Sequence, residues 1–309
     1  MSTPMKLRQH IGTLPSEQKD KARLRFHQGW WRAFVLGEPE GPHPLRQGES
    51  VCNVISGGSD SLKNLIGDGA RAAVERTLGE RRAQGKAAGI IDERRLYNNL
   101  LSSQPLVFNF FGNLQQDLAL ASQLMRRLVP GIDEVLDVRF EFAPRPWIDN
   151  SAFDVALVVE SQGRTGLLGL ECKFTETFSP TVYDNVEYRE IARASGVFRA
   201  DYETCIAPRF NQLFRNQLIA EHLFQRGEYA FRMTGLFCHG GDASAIATGD
   251  AFNALLVDGP DSFHVLTYGR FLEEVQQLPL SWDQRTWSMM LWARYCALAL
   301  SEGAYRSAE

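Results

Sequence analysis

The sequence predicts an α/β fold in which a mixed sheet lies between helices, with further helices added at both ends. Three observations carry that prediction. A helical pattern over 113–129 is followed by three strand-like runs, then by a helix over 208–226 and another strand over 229–239. Two of the runs, FDVALVVE at 153–160 and LLGLECKFT at 167–175, are too apolar to leave a face in solvent, as in strands covered on both sides. Only SQGRTG separates them, a turn-forming stretch that makes them a hairpin.

Taken in order, residues 16–35 read as an amphipathic helix, capped by Ser16 and ending in Trp30, Trp31 and Phe34. Glycine and proline mark 37–49 as a loop, and a second helix covers roughly 61–79 with shorter helical pieces behind it. Leu114, Leu118, Ala121, Met125 and Leu128 recur at helical spacing until Pro130-Gly131. Val138, Phe140 and Phe142 then alternate with Asp137, Arg139 and Glu141 in a half-buried strand. After 229–239 comes a further strand, SFHVLTYG at 262–269, and Ser281 with Gln284 has capping-box spacing for a last helix running to about Leu300. The chain therefore divides into a helical extension (1–103), a core (104–275) and a C-terminal helix (276–309).

Composition narrows the function. None of the apolar runs in the 309 residues approaches the ~20 needed to cross a bilayer, and MSTPMKLRQHIG lacks the apolar stretch of a secretory signal. Five scattered cysteines without a CxxC pair fit reduced thiols, so the expected location is the cytoplasm, with no membrane partner. The net charge of −4 does not mark a generic polyanion binder. Its distribution is uneven, however: residues 1–100 carry 16 Lys and Arg against 11 Asp and Glu, and the rest carry 17 against 26. Clusters at Lys19, Lys21, Arg23, Arg25 and Arg32, and from Arg71 to Arg95, suit either phosphate contacts or plain solvated helix faces.

The chemistry concentrates in the hairpin. With its turn centred between Gly163 and Arg164, Asp154 faces Lys173 and Ala156 faces Glu171, so Asp154, Glu171 and Lys173 share one side of the sheet. Leu168, Leu170, Cys172 and Phe174 mark the apolar side of the same strand. Two carboxylates in an apolar sheet repel each other unless a cation joins them. Mg²⁺ takes one or two carboxylates, keeps several waters and bridges to phosphate oxygens, and the carbonyl of Cys172 offers a further oxygen. Lys173 would orient water or stabilise charge growing on a phosphate. Those parts suit phosphodiester hydrolysis. A solvent-facing Glu-X-Lys ion pair, in a protein of unrelated activity, is the competing reading.

Asp154, sixteen intervening residues and then Glu171-Cys172-Lys173 resemble the D…(D/E)XK signature of the PD-(D/E)XK phosphodiesterase superfamily. The helix–strand–strand–strand–helix–strand order resembles its restriction-endonuclease-like core. NNLLSSQPLVFNFFGNL, FDVALVV and GLECKFTETF are similar to a bacterial restriction-endonuclease group. The motif's proline is missing, since Phe153 precedes Asp154. The resemblance implies Asp154 and Glu171 as ligands of Mg²⁺ or Mn²⁺, Lys173 as the catalytic lysine, and DNA as substrate of an endonuclease acting in restriction, defence or DNA processing. It further suggests a supporting acid from the first core helix, Asp117, and polar helix residues Gln212 or, better placed beside Leu213 and Phe214, Gln217. Cutting both strands would favour a homodimer. A silent core that binds nucleic acid or a protein partner is the alternative the sequence leaves open.

Overall fold

The computed structural model describes residues 10–12, 21–84 and 90–306. The extension begins with α1 (Ala22–Trp30), continued by a π-helical turn to Leu36; the expected cap, Ser16, lies outside the described residues. Where glycine and proline predicted only a loop, a short strand β1 (Glu40–Pro42) pairs antiparallel with β2 (Ser50–Ile55). The apolar residues Val51, Val54 and Ile55 bury β2, so the extension is not purely helical. Helices α2 (Gly67–Gln84) and α3 (Glu93–Asn98) complete it.

The single helix expected over 113–129 is in fact two, α4 (Ser103–Gln116) and α5 (Leu118–Leu128). Asp117 leaves helical geometry between them, and its Oδ1 accepts the N–H of Leu120 at 2.9 Å, an N-cap contact. Apolar periodicity runs on across the break because both helices press the same side of the core.

Five strands follow: β3 (Glu134–Phe142), β4 (Phe153–Ser161), β5 (Arg164–Lys173), β6 (Phe231–Cys238) and β7 (Phe263–Thr267). They lie side by side in chain order, antiparallel from β3 to β5 and parallel from β5 to β7. The parallel steps need crossovers. Helices α6 (Val186–Ser195) and α7 (Asn211–Gln225) supply the first, and α8 (Ala243–Asn253) the second. Two longer helices follow, α9 (Tyr268–Gln276) and α10 (Trp282–Tyr295), the latter opening with the expected Ser281–Gln284 capping box but stopping short of Leu300; a 3-10 turn (Leu298–Ser301) and a short helix (Glu302–Arg306) come after it.

Both faces of the sheet are covered. Val155, Leu157, Leu168, Leu170 and Phe237 pack against α4, α5, α9 and α10. On the other side Ala156, Val158, Leu167 and Leu236 meet α6, α7 and α8. That arrangement explains why β4 and β5 read as unbroken apolar runs. The extension docks on the C-terminal elements through polar contacts: the Gln28 amide donates to the Arg294 carbonyl, and the buried Arg294 guanidinium donates to the Asn64 carbonyl and Oδ1. Among the described residues no helix is long and apolar enough to cross a membrane.

Candidate active site

The β4–β5 turn consists of Gln162 and Gly163 alone. Both have positive φ, 51° and 70°, the pattern of a two-residue type I′ hairpin. Val155 therefore pairs with Leu170 and Ala156 with Gly169, two residues away from the alignment expected from the sequence. An even slip leaves every side chain on its own face, so the expected clustering survives the error. Carrying this register on sets Asp154 across from Glu171 rather than Lys173. Asp154 Oδ2 accepts the N–H of Cys172 at 2.6 Å, which draws its carboxylate toward β5. The Cys172 thiol is buried on the apolar side of the sheet, so only its main chain reaches the cluster.

Phe153, standing where the motif has proline, has a packing role. Its ring lies over Gly169, where an added Cβ would sit 2.2 Å from Cε1. The missing side chain at 169 thus seats the residue that precedes Asp154.

Glu171 and Lys173 are 7% and 6% exposed, and Lys173 Nζ lies 2.7 Å from Glu171 Oε1. This is no solvent-facing pair of the kind that contributes little. Helix α7 supplies the rest of the cage. Gln212 accepts from Lys173 Nζ at 3.0 Å and donates to Glu171 Oε1 at 3.2 Å, while the Asn216 amide donates to Glu171 Oε2 at 2.8 Å. Residues four apart share a helix face, so both amides reach the carboxylate from adjacent turns. Gln217 points elsewhere: it accepts from Thr234 Oγ1 and donates to Glu221, buried between helix and β6. Asp117 is likewise not brought to the cluster, since its second oxygen accepts from the Gln284 amide beside α10.

Three further groups had no strong sequence signal. Glu141, which the strand pattern merely sets among the alternating polar residues, has φ +47°, an uncommon conformation for any residue but glycine. It lines the same cavity of about 470 Å³ as Asp154, Glu171 and Lys173. Glu176 lines it too and ties the strand end to α4, accepting from the Ser103 N–H at 2.8 Å and from Arg95 at 3.2 Å. Arg215, on α7 between Gln212 and Asn216, is the third. Asn216 was also missed, and its four-residue spacing from Gln212 is the signal that could have found it. Of the basic residues at the N-terminus, Lys21 pairs with Asp242, Arg23 with Glu302, and Arg32 donates to main-chain carbonyls. Those three hold the fold together, whereas Arg95 lines the cavity.

The electrostatics are those of crowded carboxylates. Burial, then the charges of Glu171 and Glu141, push the Asp154 carboxyl well above its usual range, against the pull of Lys173 and the Cys172 N–H. Burial also pushes Glu141 up to about 7, though Gln104, Arg81 and the Ile90 N–H oppose it. For Lys173 burial acts downward, but Glu171 and Asp154 outweigh it and hold the ammonium charged.

A family model described as the PD-(D/E)XK nuclease superfamily matches residues 15–297. The chain belongs to the PD-(D/E)XK nuclease superfamily. The match spans the extension and the C-terminal helix as well as the sheet, in keeping with the polar contacts that join them. No curated protein and no solved structure matches the chain. Among the described residues no three His, Cys, Asp or Glu side chains are grouped to hold a metal by themselves. Two carboxylates beside a strand carbonyl are nonetheless oxygen donors of the type Mg²⁺ takes.

Proposed function

We propose that the protein is a Mg²⁺- or Mn²⁺-dependent endonuclease that hydrolyses DNA phosphodiester bonds. The observation that carries this reading is the buried Glu171–Lys173 pair, caged by Gln212 and Asn216, beside the Asp154 carboxylate in an open cavity. Burying such charges is unfavourable for folding and has no packing rationale, whereas it suits a site that receives a metal and a phosphate.

Asp154 and Glu171 would hold the cation together with the Cys172 carbonyl. In an extended strand a residue's N–H and C=O point the same way, and the Cys172 N–H points at Asp154. The chemistry a bound Mg²⁺ or Mn²⁺ supplies is polarisation of a phosphate oxygen and a lowered pKa for water. Gln212 and Asn216 fix both oxygens of Glu171, leaving the carboxylate little rotational freedom. Lys173, held charged, places an ammonium where negative charge develops on the phosphate.

The test is incubation of the full chain with supercoiled plasmid, linear duplex and single-stranded DNA, with Mg²⁺, Mn²⁺ or EDTA. Cutting that requires the metal supports the reading. Absence of cutting on all three, with no heat of Mn²⁺ binding in calorimetry, would refute it and favour a silent nuclease fold.

A further inference from the structure

Arg215 projects from α7 into the cavity between the turns that carry Gln212 and Asn216. Its guanidinium is built into a frame. Nη1 donates to Asp149 Oδ2 at 3.2 Å, and the Arg215 Cζ sits 4.4 Å from the centroid of the Tyr183 ring. Asp149 in turn accepts from the main-chain N–H of Ser151 at 2.7 Å, from the Ser151 hydroxyl and from the Tyr188 hydroxyl. Trp147 Nε1 donates to Ser151 Oγ at 2.8 Å and braces the loop from behind.

This frame leaves the guanidinium partly unused. The Arg215 Nε–H is buried without an acceptor, a state that is unfavourable if the residue only clamps a loop. Asp149 also accepts from three neutral donors, so its hydrogen bonds do not depend on Arg215 alone. A guanidinium fork matches two phosphate oxygens at once, and a ring stacked on its face keeps the fork in plane. The rest of the cavity wall is rich in carboxylates: Glu141, Asp154, Glu171 and Glu176. Against them stand Lys173, paired with Glu171, Arg95, paired with Glu176, and Arg215.

We infer that Arg215 binds a backbone phosphate of the nucleic-acid strand in this cavity, with Asp149 and Tyr183 as positioning residues that aim its fork. The inference rests on the phosphodiesterase reading of the site but assigns a contact that the motif does not.

The experiment separates binding from cleavage. Affinity for a labelled DNA oligonucleotide is measured against KCl concentration in Mg²⁺ buffer, for Lys173→Ala with and without Arg215→Gln. Loss of one phosphate contact lowers the slope of log K against log salt by about 0.7 to 0.9, a change that a merely structural residue does not produce. Arg215→Lys keeps the charge and should keep the slope, yet lower kcat/KM by roughly tenfold in the otherwise wild-type chain because the fork is lost. An unchanged slope in Arg215→Gln would overturn the inference. Should that variant melt early, Arg215→Lys decides: a wild-type kcat/KM refutes the contact. If the wild-type chain cuts and binds DNA while either refuting result appears, Arg215 alone is wrong. If the wild-type chain does neither, this inference and the nuclease reading both fall.

Discussion

Replacing Glu141 by Gln removes a charge that the fold holds at a disadvantage. The carboxyl is pushed from 4.5 to about 7, chiefly by burial. Below pH 4.5 it is protonated in folded and unfolded chains alike and makes no difference. Between 4.5 and about 7 the folded chain keeps a proton that the unfolded chain has released, so stability falls as pH rises. Above 7 the full cost is present, roughly 3 kcal/mol at most. The side chain keeps part of its surface in the cavity, where solvent screens it, so about 1–2 kcal/mol is the expected difference. Gln can still accept the Ile90 N–H that Glu141 now accepts at 3.2 Å, so that contact survives the substitution. Urea unfolding of wild type and Glu141→Gln at pH 4.5 and pH 8 measures it. The variant should match wild type at the lower pH and exceed it at the higher. Equal stability at pH 8, or a gain independent of pH, would refute the claim that burial holds the Glu141 charge at a disadvantage.

Two other substitutions test how the cluster is held. Gly169→Ala forces a Cβ to within 2.2 Å of the Phe153 ring, and overpacking of that kind costs about 1–3 kcal/mol in a thermal or urea melt. Because Phe153 precedes Asp154, metal affinity should fall as well; unchanged affinity in a destabilised variant would sever that link. Asn216→Ala takes the donor from Glu171 Oε2, and loss of a partner that orients a ligand typically lowers metal affinity about 10–100-fold. Calorimetric titration with Mn²⁺ gives that number directly, and a wild-type value would remove Asn216 from the site.

What the sequence made legible follows from which constraints are local. The β4–β5 hairpin was readable because a strand buried on both faces has no choice but to be apolar along its length. Its site residues survived a two-residue error in register because only parity sets the face. The final helix announced its start through Ser281 and Gln284, a contact closed within one turn. Asp117 was readable two ways, as a supporting acid of the site or as a helix-start aspartate favoured by the dipole, and it is an N-cap between two helices. Choosing between Gln212 and Gln217 required the rotation of α7 against β6, which Thr234 on β6 helps to set from outside the helix. Glu141 was hidden for a different reason. Its positive φ belongs to no residue-type preference and is imposed by the end of β3 next to the cavity. The β1–β2 pairing was masked by prolines and glycines that also belong to turns.

Lys173 tests the central claim most directly. The measurement is metal-dependent cleavage of plasmid and single-stranded DNA by wild type and by Lys173→Ala, with Mn²⁺ binding followed in parallel. The account predicts that the variant still binds Mn²⁺ but cuts at least about 100-fold more slowly, because it lacks the cation placed at the developing charge. Cleavage by Lys173→Ala at the wild-type rate would contradict the account, and would place any activity outside the Asp154–Glu171–Lys173 cluster.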